Sequence, residues 1–241
     1  MKRIVNKYTD RNEMSRKAAE YFVDAAKTIL AKQPRFTVAL SGGSTPKAMY
    51  QTLVQDFRDA VEWEKIVFFW SDERDVPLDH PDSNAGMALE NLLKSVNISE
   101  SRIFPVPTES GPPEKAAALY EQRILNLWCD QPRIPQFDLI FLGLGDDGHT
   151  ASLFPGTDAV LEQNRLVAAN WVASKGTWRY TFTFPLLNSA HNVVFLAGGA
   201  NKAPVVADIL NNPQSTFPAA YVKPVNGTLF WFLDADAAAD L

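Results

Sequence analysis

Asp147 and His149 stand two residues apart on a glycine turn, a spacing that lets a carboxylate orient an imidazole. They lie in residues 137–156, FDLIFLGLGDDGHTASLFPG, where an apolar run leads into the turn. An imidazole at the end of a strand can take a proton near neutral pH, and a neighbouring carboxylate fixes its tautomer or tunes its pKa. Gly143, Gly145 and Gly148 also spell G-x-G-x-x-G, so the turn has a second reading as a dinucleotide cradle. Three features weigh against the cradle: the turn lies past mid-chain, it holds two carboxylates that would repel a pyrophosphate, and no helix of normal length is readable after it. The bland alternative for His149 is a hydrogen-bonded structural histidine.

Two other segments could meet an anion. Residues 39–46 read ALSGGSTP, a strand end, a turn and a helix start, with Thr45 suited to the N-cap and Pro46 to the first helical position. The amides of Ser41, Gly42, Gly43, Ser44 and Thr45 would then face the sheet mouth at the positive end of a helix dipole. The nucleotide-loop spacing G-x-x-x-x-G-K-[ST] is absent. Residues 70–77 read WSDERDVP, again following a buried strand, and place Asp72 and Arg74 in a loop where such sheets bind ligands. A bidentate contact from Arg74 to a phosphate is worth about 1.5–3 kcal/mol. Asp79, His80 and Asp82 could be read as metal ligands, but one histidine among carboxylates lacks a diagnostic spacing. Lys175, Arg179 and Lys202 are further cations near strand or loop ends, each unremarkable taken singly. His191 reads as a surface turn residue and Cys129 as a buried or incidental thiol, and no G-x-S-x-G supports a serine triad.

The elements that must position these groups are legible as periodicities. Residues 12–32 repeat apolar side chains at helical spacing, and helical patterns recur at 46–57, 83–93, 113–128 and 202–210. Short apolar runs at 36–40, 66–70, 137–142, 192–197 and 228–233 read as largely buried strands. The alternation predicts an α/β fold with a mainly parallel sheet and helices on both faces. The expected organisation is a single domain over 1–241, with the less regular stretch 160–184 available as a small lobe.

The chain of 241 residues, 46% hydrophobic, is long enough for a substantial core. A single cysteine excludes an intrachain disulfide and a cysteine-rich zinc site, and fits a cytoplasmic setting. A net charge of −5 without a dense basic run argues against a nucleic-acid surface, and no apolar stretch is long enough for a membrane span.

Taken together, the segments resemble the 6-phosphogluconolactonase family. The likeness runs through Leu40-Ser41-Gly42-Gly43-Ser44-Thr45-Pro46, Asp72-Glu73-Arg74 with Val76-Pro77 and Asp82-Ser83-Asn84, and Gly143-Leu144-Gly145 with Asp147-Gly148-His149-Thr150-Ala151-Ser152-Leu153-Phe154-Pro155-Gly156. Arg179 before Thr-Phe-Thr, and Lys202 after Gly198-Gly199-Ala200-Asn201, extend it toward the C-terminus. The resemblance implies a modified Rossmann-type fold shared with glucosamine-6-phosphate deaminases and ribose-5-phosphate isomerases, without a bound nucleotide. It implies hydrolysis of 6-phosphogluconolactone to 6-phosphogluconate in the pentose phosphate pathway, with His149 as general base for water and Asp147 as its partner. Arg74, Arg179 and Lys202 would meet phosphate or ring oxygens, alongside Asp72 and the turn from Ser41 to Thr45. No metal or organic cofactor is expected, the partner is a small phosphorylated sugar lactone, and monomer and homodimer both remain open.

Two rivals lose ground on the same residues. A sugar-phosphate deaminase needs an acidic group a few positions beyond the histidine, and Phe154 stands where that branch places glutamate. A non-catalytic sugar-phosphate sensor would need a DNA-reading module, and no basic helix-turn-helix precedes the first predicted helix.

Overall fold

Uninterrupted apolar strands need cover on both faces. The computed structural model, which describes residues 2–129 and 134–241, has nine strands: β1 (Lys2–Tyr8), β2 (Phe36–Leu40), β3 (Ile66–Trp70), β4 (Asp72–Arg74), β5 (Leu139–Gly143), β6 (Val167–Val172), β7 (Thr177–Phe182), β8 (Asn192–Ala197) and β9 (Thr228–Asp234). Six form a parallel sheet in the order β1-β9-β8-β5-β2-β3. Alternate residues serve opposite faces. Val38 and Leu40 of β2 join Phe22 of α1 (Arg11–Leu30), Tyr50 of α2 (Ser44–Asp56) and Ala88 of α3 (Asn84–Asn91) in one core. Ala39 joins Tyr120 of α4 (Pro113–Leu127), Leu186 of α5 (Phe184–Leu187) and Val206 of α6 (Ala203–Asn211) in the other. No described helix is long and apolar enough to cross a membrane.

Strands β2, β3 and β8 coincide with the expected runs, whereas β5 begins at Leu139 rather than 137 and β9 reaches Asp234. The helix expected from Pro46 starts earlier, at Ser44. Gly43 occupies the N-cap with φ of 104°, a conformation open to glycine, and no side chain caps the helix, so Thr45 is buried inside the first turn instead of capping it. Cys129, read as buried or incidental, is exposed. The sequence reading passed over β1, because KRIVNKY is a half-buried edge strand, and over β4, β6 and β7, which form a separate antiparallel sheet in the order β4-β7-β6.

That small sheet grows out of the large one. Ser71 follows β3, donates its amide to Leu40 O at 2.9 Å and accepts from Phe182 N at 2.8 Å, so the chain changes sheets within one residue. Glu121 on α4 accepts the amides of Leu166 and Val167 at 2.7 and 2.9 Å, fixing where β6 begins.

Strand order reverses between β2 and β5: β3 lies outside β2, while β8 and β9 extend the other way. A crevice at the carboxyl ends of the strands at such a switch point is where open α/β sheets take ligands. The β2–β5 ladder is short, pairing Val38 with Leu139 and Ala39 with Ile140. Asp138 ties the opposite end. Its carboxylate accepts Thr37 N at 2.8 Å, Thr37 Oγ1 at 2.7 Å and Gln33 Nε2 at 2.8 Å, all at a buried position. Asp138→Ala should therefore cost about 1.5–3 kcal/mol in urea unfolding, the range for hydrogen bonds to a charged group, with the Thr37 amide and hydroxyl proton left without their acceptor. A loss below about 0.5 kcal/mol, the floor for an ordinary hydrogen bond, would remove Asp138 as the tie.

Candidate active site

The loop leaving β5 is closed by its own backbone. Gly145 N donates to His149 O at 2.8 Å, Gly148 N to Gly145 O at 3.2 Å, and Thr150 Oγ1 to Gly143 O at 2.9 Å. Within this ring Asp147 Oδ1 accepts His149 N at 3.1 Å and lies 2.5 Å from His149 Nδ1. A carboxylate only accepts, so Nδ1 carries a proton, and in the neutral ring the lone pair is then on Nε2. A Cβ on Gly145 would stand 2.0 Å from His149 Nδ1 and 2.4 Å from Asp147 Oδ1. The glycine at 145 thus admits the Asp147–His149 pair, where the dinucleotide fingerprint would have it admit a pyrophosphate. Burial pushes the Asp147 carboxyl up, but hydrogen bonds from the His149 ring and amide outweigh it and hold the group below its ordinary value. Gly148, at φ of 76°, is backed by Phe217, and its carbonyl accepts Ala219 N at 3.0 Å.

His149 faces a cleft of about 390 Å³ at the switch point. Across it stand Arg74 on β4 and Arg179 on β7, directly opposite one another in the antiparallel register. Like charges so placed destabilise a sheet unless an anion lies between them. Burial, then the neighbouring Arg74, push the Arg179 guanidinium down, while Asp72, Asp82 and Glu73 pull the other way. Arg74 is braced through Nη1 to Asp82 O at 2.8 Å. Lys175 and Lys202 complete the cationic lining.

A buried carboxylate holds this side in place. Glu73, 2% exposed, accepts Arg74 N, Asn84 N and Ala85 N at 2.8, 2.7 and 2.8 Å and Ser83 Oγ at 3.2 Å. It thereby caps α3 together with Ser83, whose Oγ accepts Gly86 N at 3.0 Å. Asn84 then donates Nδ2 to Asp72 O at 2.9 Å and fills the space beside Gly42, where a Cβ would lie 1.7 Å from its Oδ1.

Of the expected site residues, Ser41, Gly42, Asp72, Arg74, His149, Arg179 and Lys202 line the cleft. Asp147 sits behind His149 as its partner. Gly43, Ser44 and Thr45 lie outside the lining: they set the turn and start α2. Asp72 is buried and accepts Ser152 Oγ at 2.8 Å, which makes it a brace between two loops. Asn84, Ser152, Phe154 and Lys175 also line the cleft, and the sequence reading gave them no role there. The signals were slight: Asn84 at the start of α3, just past the polar run 79–83, Ser152 and Phe154 shortly after the histidine, and Lys175 only as a cation near a strand end. His80 Nδ1 accepts Asp82 N at 3.1 Å, and among the described residues no group of three or more His, Cys, Asp or Glu is placed to hold a metal ion.

Residues 9–231 match the family described as glucosamine-6-phosphate isomerases/6-phosphogluconolactonase. The chain belongs to this family. Among the family's curated members, a 6-phosphogluconolactonase of Nostoc is 40% identical over 245 residues, covering 100% of this chain and 99% of its own. One from Synechocystis is 46% identical over 217 residues, covering 88% and 87%. The solved structure of 6-phosphogluconolactonase from Trypanosoma brucei superposes with a TM-score of 0.86 at 30% identity, covering 100% of this chain and 99% of its own. A monomeric glucosamine-6-phosphate deaminase shares the family fold at a TM-score of 0.83 and 22% identity.

Burial raises the Glu73 carboxyl above its ordinary 4.5 despite three amide hydrogen bonds that lower it, so the native state holds this proton more tightly than the unfolded chain. Its stabilising contribution is complete below the unfolded value and is lost as pH rises through the folded one. Compared with Glu73→Gln by urea titration, the wild type should lose ground as pH rises from about 4 to about 7. A difference that moves the other way would mean that the amides and hydroxyl outweigh burial.

Proposed function

We propose that the chain hydrolyses 6-phosphogluconolactone to 6-phosphogluconate, the lactone-opening step of the oxidative pentose phosphate pathway, as a single catalytic domain in the cytoplasm. The observation that carries this reading is the His149–Asp147 pair at the cleft, with Asp147 at Nδ1 and with Arg74 and Arg179 side by side in the lining of the same cavity. The names of the curated relatives support the same substrate.

In this reading, the paired guanidiniums and Lys202 take the phosphate and so bring the lactone carbonyl to His149. Nε2 removes a proton from water as its oxygen attacks the carbonyl carbon, and the Nδ1–H bond to Asp147 stabilises the imidazolium that forms. The tetrahedral oxyanion collapses by breaking the bond to the ring oxygen, which takes the proton from Nε2. Ring opening leaves a carboxylic acid that ionises in water. Backbone amides of the cleft-lining glycine turns would serve the oxyanion, each such donor being worth about 10²–10³-fold where measured. The deaminase alternative lacks its acid, since Phe154 occupies that position and packs on the imidazole.

His149→Ala should lower lactone turnover by roughly 10²–10⁴-fold with the fold intact. The check is an assay coupled to 6-phosphogluconate oxidation, corrected for spontaneous opening, with glucosamine 6-phosphate as comparison substrate. Near-normal turnover of the lactone by the variant, or preferential turnover of the amino sugar by the wild type, overturns the assignment. Arg74→Ala should lose more with the phosphorylated lactone than with gluconolactone itself, and equal losses would reduce Arg74 to a structural part.

A further inference from the structure

We propose that Phe154 is a positioning residue for His149, held over the imidazole by a strained backbone turn, so that Nε2 is aimed at the cleft. The inference rests on the role given to His149 above. The two rings stack with centroids 4.0 Å apart and planes 18° from parallel, and Phe154 is 6% exposed. It lies five residues beyond His149, so the chain must double back to bring its ring there.

The doubling-back occurs at residues 150–153. Leu153 N donates to Thr150 O at 2.9 Å, and Ala151 takes φ of 47°, the one non-glycine residue with positive φ among the described residues. L-residues avoid that region, and such strain persists only where the surroundings over-determine it. Here they do. Ser152 N donates to Thr181 Oγ1 at 3.1 Å, its Oγ donates to Asp72 at 2.8 Å, and its carbonyl accepts Asn170 Nδ2 at 2.9 Å. Thr150 and Leu153 on either side are fully buried.

The imidazole is therefore bounded three ways: Asp147 at Nδ1, the Gly145 backbone at the Nδ1–Cε1 edge, and Phe154 on one face. The Asp147 contact alone does not fix the ring. The carboxylate side chain is 46% exposed, so water competes for it, and a single hydrogen bond leaves the ring free to tilt about its axis. The aromatic face removes that freedom and excludes water from one side of the base. A non-aromatic residue of similar bulk would fill the volume without imposing a plane.

The test compares Phe154→Leu, Phe154→Met and Phe154→Tyr with the wild type, using ¹⁵N-histidine-labelled protein and lactone kinetics. With three histidines in the chain, the His149 signals are assigned by their disappearance in His149→Ala. In the wild type, the ring protons of His149 should be shifted upfield by the stacked phenyl, and its nitrogens should report a single Nδ1–H tautomer. Leu and Met should abolish the upfield shift, mix the tautomers and lower kcat about 10- to 100-fold, the scale of a small misplacement of a reacting group. KM should stay within about 2-fold, as expected when ground-state binding is untouched, and Tyr should restore both readouts. An unshifted His149 signal in the wild type overturns the proposal, as does normal kcat in the folded Leu or Met variant or a loss confined to KM. If the wild type opened no lactone, the proposed function would fall, and the imidazole spectra would still decide the role of Phe154.

Discussion

At Gly145 the backbone carries only a hydrogen where the His149 ring and the Asp147 carboxylate converge, within 2.0 and 2.4 Å of where a Cβ would be. Any side chain there would push the imidazole out of the loop or part it from its carboxylate. The rest of the loop follows from this contact: the Gly145–His149 backbone bond closes the ring of residues, Gly148 makes the left-handed turn between Asp147 and His149, and Phe217 with Ala219 supports it from outside. Strand β5 delivers this loop to the switch point, and the short β2–β5 ladder leaves room beside it.

The opposite wall is built by different means. A small antiparallel sheet carries two cations in register, and a buried carboxylate with its cap on α3 keeps their backbone in place. His149 and the two arginines thus sit on separate elements, each stabilised locally. The distance between them is set by Ser71, where β3 passes into β4, and by Ser152, which bonds to Asp72 across the gap.

Much of this was legible in the residues. Parallel strands buried on both faces read as apolar runs, and Phe36–Leu40, Ile66–Trp70 and Asn192–Ala197 fall where their periodicity put them. His149 and Asp147 were legible because their pairing is local, two residues apart. Arg179 was visible as a cation near a strand end but gained a role only by resemblance, since its relation to Arg74 is a cross-strand register between segments 105 positions apart. β1 was hidden by its polar edge, and β4 by having three residues. Gly42 was read as a phosphate-facing turn glycine, and its closest neighbour proved to be Asn84, a long-range packing constraint that no local pattern encodes.

The facing arginines have a consequence for how this chain can be altered. Two guanidiniums side by side on a three-stranded sheet repel each other, and the Arg74 bond to Asp82 O and the nearby carboxylates of Asp72, Asp82 and Glu73 offset that only in part, since the Arg179 guanidinium is still pushed down. A redesign scored on fold stability alone would replace one of them early. If the pair takes the phosphate as proposed above, folding and function pull apart there, and tolerance to substitution at 74 and 179 measures selection for ligand rather than for structure.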